Sequence, residues 1–115
     1  MLIKTLENSE VCSVIFIRDY LQFYFEGELY NGTLTTYTLP KAIVNGQCFV
    51  NNNIGYRDSL CSFINHRVKE IIFITGDSIT LTFDNEDELE ISLKQKDPYG
   101  HEVAMLRIKN EIAIW

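Results

Sequence analysis

Apolar and polar residues along this chain repeat mostly with a period of two, which predicts strands. Val14 to Ile17 (VIFI) is a short β-branched and aromatic run of the kind that fills a buried strand. A turn at Arg18-Asp19 follows, and then YLQFYFE, where Leu21, Phe23 and Phe25 alternate with Tyr20, Gln22, Tyr24 and Glu26. That alternation predicts a strand with one face buried. Thr33 to Leu39 (TLTTYTL) predicts another, ended or confined to an edge by Pro40.

The second half repeats this order. Ile71 to Ile74 (IIFI) matches VIFI, and a Thr-Gly-Asp turn follows at Thr75 to Asp77. Ile79, Leu81 and Phe83 then alternate with Thr80, Thr82 and Asp84, and Leu89, Ile91 and Leu93 with Glu88, Glu90 and Ser92. SVIFIRDYLQFYFEGEL and EIIFITGDSITLTFDNEDEL are therefore consistent with an internal duplication of a three-strand meander, although alternation alone would also produce such a likeness. Between the halves, Tyr56, Leu60, Phe63 and Ile64 fall at helical spacing. One helix is expected near residues 57–65, with Asp58 or Ser59 as its cap. NGQCFVNNNIGY before it reads as polar turn, and AMLRIKNEIAIW as two short strands about a Lys-Asn turn. Together these predict one mainly β (α+β) domain over residues 1–115, an antiparallel sandwich or strongly curved sheet with one connecting helix.

Composition narrows the function. The chain has 115 residues, enough for a single buried core. Its net charge is −6, which disfavours nucleic acid and anionic membrane as partners and favours a basic protein. Between Asp77 and Glu102 eight acids face only Lys94 and Lys96, so this stretch carries the whole net charge. Cys12, Cys48 and Cys61 are odd in number, and no run is long and apolar enough for a signal peptide or a membrane span. The cytoplasm, with reduced thiols, is the expected compartment.

The acids concentrate in FDNEDELEI, residues 83–91: Asp84, Glu86, Asp87, Glu88 and Glu90. The period places Asp84 to Asp87 in a turn and Glu88 and Glu90 on an outward strand face. A calcium loop fails here, because its sixth position falls on Leu89 where glycine is needed. A catalytic carboxylate pair needs burial in a cleft, which an exposed hairpin tip lacks. A solvated hairpin that discourages edge pairing and a docking surface for a basic protein both remain. His66 and His101 are the only histidines, and Cys61 and His66 lie at no usual zinc spacing. No metal site and no cofactor is expected, no serine or glycine-rich catalytic motif is present, and Cys61 is expected to be a buried, inert thiol. Phe16, Phe23, Phe25, Phe73 and Phe83 read as core. Tyr20 and Tyr24 share an outward face and are binding anchors in the docking reading; Tyr30 and Tyr37 stand beside them as outward aromatics.

The stretch GYRDSLCSFINHRVKEIIFITGDSITLTFDNEDELEISL, with PYGHEVAMLRIKNEIAIW after it, resembles a class of small bacterial proteins. The shared pattern falls on Gly55 to Asp58, Gly76 to Ser78, Gly100 to Glu102 and Trp115. Proteins of this size, acidity and strand content look like immunity proteins of polymorphic toxin systems, contact-dependent growth inhibition among them. The resemblance implies a non-enzymatic cytoplasmic antitoxin that binds a cognate toxin C-terminal domain and occludes its active site. Many such toxins are nucleases with basic clefts, which an acidic surface would match. On that reading Asp84, Glu86, Asp87, Glu88 and Glu90 are the contact residues, with Tyr20 and Tyr24 second. The alternative is a structural or self-associating module, a homodimer that buries the tyrosine face. An enzyme or small-ligand binder would instead need a pocket holding His66, His101 or Cys61 beside a carboxylate.

Overall fold

The computed structural model describes residues 1–94 and 102–115. An N-terminal 3-10 helix spans Leu2–Leu6, and ten strands and one α-helix follow. The strands are β1 (Glu10–Ile17), β2 (Tyr20–Glu26), β3 (Asn31–Thr36), β4 (Lys41–Val44), β5 (Gln47–Phe49), β6 (Val68–Ile74), β7 (Ser78–Phe83), β8 (Glu88–Ser92), β9 (Ala104–Ile108) and β10 (Glu111–Ile114). Helix α1 covers Tyr56–Cys61, between β5 and β6.

All pairings between these strands are antiparallel, in two five-stranded sheets ordered β1-β2-β3-β9-β10 and β5-β4-β8-β7-β6. The mainly β, two-sheet arrangement with a single short α-helix is thus the architecture expected. Alternation sets what each strand buries. Leu21, Phe23 and Phe25 of β2, Leu34 of β3 and Leu106 of β9 enter one core together with Ile79, Leu81 and Phe83 of β7 and Leu89 and Ile91 of β8. The sheets meet at one corner, where Glu10 bridges Arg67 and Val11 bridges Ile64. The rings of Phe63 and Phe83 stack there at 4.6 Å between centroids.

Several local expectations change. VIFI and IIFI are not buried strands but lie in edge strands β1 and β6. Ile15 and Phe16 are 43% and 39% exposed, and Ile72 and Ile74 are exposed as well. Phe16 faces the inner side at the sheet's end, where the Arg57 guanidinium sits 5.7 Å from its ring. Phe73 is partly buried, its ring 6.2 Å edge-on from Trp115. The helix is shorter than expected. It enters through Gly55 at φ +88° without a side-chain cap, and beyond Cys61 the backbone tightens into bonds from Phe63 N–H to Leu60 and from Ile64 N–H to Cys61 before Asn65 turns at φ +73°. Ser59 does not cap the start; its hydroxyl donates back to the Gly55 carbonyl at 2.8 Å. Cys61 is exposed rather than buried. The stretch read as polar turn contains β5, which pairs with β4 about Asn45-Gly46 at φ +53° and +77°. Those two positive values make the tight turn that hairpins favour.

The edge at β6 is covered from the N-terminus. Glu7 accepts a hydrogen bond from Ile71 N–H at 2.9 Å, the Lys4 ammonium donates to the Ile71 carbonyl, and the two side chains pair at 3.4 Å. A lysine and a glutamate thereby occupy the backbone groups that a further strand would need. Gly32 admits the same helix to the opposite sheet. A Cβ there would stand 3.0 Å from Leu6 Cδ2 and 3.1 Å from Ile108 Cγ1.

Candidate protein-binding interface

The five carboxylates of FDNEDELEI do not form one surface. The connection from β7 to β8 runs through Asp84, Asn85, Glu86 and Asp87. Asp84 turns toward the corner between the sheets. Its Oδ1 lies 2.7 Å from His66 Nδ1, and its Oδ2 accepts the Arg67 N–H at 3.2 Å. The His66 contact first, and that N–H second, hold the Asp84 carboxyl below the usual carboxylate range. Glu86 occupies the left-handed position of the turn at φ +71° and pairs with Lys69 at 2.5 Å. This contact raises the lysine above its ordinary value.

Asp87 departs most from the expectation of an exposed tip, being only 6% exposed. Its Oδ1 accepts the Asn45 N–H at 3.0 Å and its Oδ2 accepts the Asn85 side-chain amide at 3.0 Å. Its own N–H donates to Asn85 Oδ1 at 3.1 Å, and its carbonyl accepts the Phe83 N–H at 2.9 Å. Asp87 therefore joins the β7–β8 turn to the β4–β5 turn.

Glu88 and Glu90 do face outward. Both alternate with buried Leu89 and Ile91 on β8, beside Thr82 and Thr80 of β7 and Ile43 and Lys41 of β4. Neither makes an ion pair with a described residue. With Glu70, Ser78 and Ser92 they make the middle of the second sheet's outer face polar and acidic, bordered by exposed Ile72 and Ile74 of β6 and by Lys41 and Ile43 of β4.

Tyr20 and Tyr24 stand on the outer face of the first sheet, half-buried among their neighbours. The Tyr20 ring packs 5.7 Å from that of Tyr37. Register puts Ile17 beside Tyr20, Ile15 beside Gln22 and Ser13 beside Tyr24. Across the sheet the same rows continue through Thr33 and Thr35 to Arg107 and Met105, and then to Ile112 and Ile114. This face is aromatic and aliphatic, with Glu26 and Arg107 among its few charges. Tyr30 lies apart, exposed, with the Lys109 ammonium 4.8 Å from its ring.

Comparison with protein-family models, with curated proteins and with solved structures found no significant match.

A cleft of about 740 Å³ was not foreseen in the sequence. It is lined by Glu7, Glu10, Glu26 and Glu28, with Leu29, Tyr30 and Arg67 at its sides. Its acids come from two short stretches distant in sequence, Glu7 and Glu10 in ENSE and Glu26 and Glu28 in EGE, and no local pattern signals that the two meet. Three already have partners: Glu7 holds Ile71, Glu10 pairs with Arg67 at 3.5 Å, and Glu26 contacts Cys12. Burial, followed by Glu26, pushes the Cys12 thiol up, away from the thiolate a nucleophile needs. His66 is engaged with Asp84, and His101 lies outside the described residues. Among the described residues, no three of His, Cys, Asp and Glu gather as metal ligands, and no helix is long and apolar enough to cross a membrane.

Proposed function

We propose that this protein is a toxin-neutralising immunity protein, a binding module that occludes the active site of a basic toxin domain, most naturally a nuclease. The observation that carries this reading is the division of the acids. Asp84, Glu86 and Asp87 have partners within the fold, whereas Glu88 and Glu90 are held outward on a strand, between Thr80 and Thr82 on one side and Lys41 and Ile43 on the other. Charge on a rigid strand keeps its spacing when a partner approaches, and it steers association and selects partners more than it adds raw affinity. Glu88 and Glu90 are the principal contacts in this reading, and Glu86 at the rim joins by exchanging its lysine. Asp84 and Asp87 act by shaping the hairpin. An interface of about 1,600 Å² in total needs further surface, which the outer face of β7 and β4 supplies.

The test is capture with the tagged full chain from a toxin-bearing bacterium, followed by co-expression of the captured domain. The reading requires a toxic domain with a basic cleft, whose toxicity this protein abolishes. Glu88→Gln with Glu90→Gln should weaken that binding roughly tenfold, and less so at high salt. Failure of this protein to protect cells against any captured domain would remove the proposal.

A second reading is favoured by the other face. Ile15, Ile17, Tyr20, Tyr24, Ile112 and Ile114 share one side of the first sheet, a composition suited to the centre of a homodimer. Light scattering decides it. A dimer that Tyr20→Ser with Tyr24→Thr returns to monomer would establish self-association.

A further inference from the structure

We infer that this chain is a fused pair of like units, β1–β5 and β6–β10, each of which is completed by the terminal hairpin of the other. The meander β1-β2-β3 is extended by β9-β10, and the meander β6-β7-β8 by β4-β5. Each hairpin leaves the meander it follows in sequence and pairs with the last strand of the other. The partner that completes each unit is a unit of the same topology.

Four independent features place the units in correspondence. The first is register. Val11 faces Phe25, and a bulge at Cys12 then shifts the pairing so that Ser13 faces Tyr24. In the second meander Val68 faces Phe83, and a bulge at Lys69 shifts the pairing so that Glu70 faces Thr82. The bulges fall at equivalent positions, which alternation does not require. The second is the register of the third strand, where Leu34 faces Phe23 and Thr36 faces Leu21 just as Leu89 faces Leu81 and Ile91 faces Ile79; the stretch leading into it is longer in the first unit, seven residues between Phe25 and Thr33 against four between Phe83 and Glu88. The third is the exchanged hairpin. Leu34 faces Leu106, which faces Ala113, and in the other sheet Leu89 faces Ala42, which faces Phe49. Both hairpins turn in two residues, and their first turn residues, Asn45 and Lys109, share φ +53°. The fourth is burial. Val11 and Val68, Leu21 and Ile79, Phe23 and Leu81, Phe25 and Phe83, and Leu34 and Leu89 are equivalent pairs, and every member is buried.

The outer faces have parted. Tyr20, Gln22 and Tyr24 correspond to Ser78, Thr80 and Thr82, and Thr33 and Thr35 to Glu88 and Glu90. Core positions are held by packing against the other unit, while outer positions are free to serve different ends. Neither unit by itself has a five-stranded sheet.

The experiment places a protease site in the exposed turn Asn51–Asn53 of the full chain and cleaves the folded protein. The inference expects both fragments to remain one particle of intact mass with unchanged circular dichroism. Refolding then becomes bimolecular, so each tenfold dilution should cost about 1.4 kcal/mol. That corresponds to a fall of roughly 0.5–1 M in the urea midpoint. Two differently tagged cleaved samples, refolded together, should exchange fragments. Separation without denaturant, or a midpoint independent of concentration in either fragment, would show a self-sufficient half and overturn the inference.

Discussion

Asp84 and Asp87 stand three positions apart in one turn, and their surroundings give them opposite tasks. Asp84 is open to water and keeps its charge through His66 and the Arg67 N–H, which lower its pKa. Its unfolded value is about 3.9, so the stability it lends is fully present above that pH and is lost as pH falls through the lower folded value. The expected result is an acid limb below about pH 4 in a plot of urea midpoint against pH, and Asp84→Asn should flatten it. Thr36 makes the reverse case. Its Oγ1 is buried and finds no hydrogen-bond partner among the described residues. The corresponding position in the second unit is Ile91, an apolar residue. Thr36→Val removes the stranded hydroxyl at nearly constant volume and should stabilise the protein by about 1 kcal/mol in chemical denaturation. Neither role is legible locally, because a turn aspartate and a strand threonine look ordinary until their neighbours from distant segments are in place.

At the level of elements, the edge strands show best how pattern and context divide the work. VIFI and IIFI have the composition of central strands, and composition alone places them inside. They are edges because each meander begins with them and, among the described residues, no further strand pairs beyond. The 3-10 helix resolves the exposure of β6 by setting Lys4 and Glu7 against Ile71. Glu7→Ala should cost about 1–2 kcal/mol through the unsatisfied Ile71 N–H. The same change should raise light scattering on storage, as the edge becomes available to other chains. A destabilised variant that stays monomeric would show that Lys4 protects the edge by itself. Helix α1 ends early for a related reason. Its apolar spacing continues through Phe63 and Ile64, but the chain there turns at Asn65, whose N–H donates to the Val11 carbonyl, and runs on so that the Val68 N–H reaches the Ser9 carbonyl.

For the whole molecule, one core fed by both units predicts one unfolding event. Leu34 and Leu89 are fully buried equivalents on opposite sheets. Leu34→Ala and Leu89→Ala should each cost about 2–5 kcal/mol and leave a single transition with the m-value of the parent. A separate transition in either variant would mean that the sheets unfold independently. Charge is organised at the same scale. The run of acids in the sequence becomes three partnered side chains and two outward ones, and a second acidic site gathers at the cleft from two short stretches, 7–10 and 26–28.

The sequence by itself determined the strand-rich class, the inward set of β2, β7 and β8, the single helix between two similar halves and the turn after residue 83. Each of these follows from alternation or from turn chemistry, which act over a few neighbouring residues. Only the tertiary structure decided which strands are edges, which acids find partners within the fold, and which hairpin completes which meander. Those depend on pairing between residues tens of positions apart, where either hairpin satisfies the same local pattern and only the packed core distinguishes them.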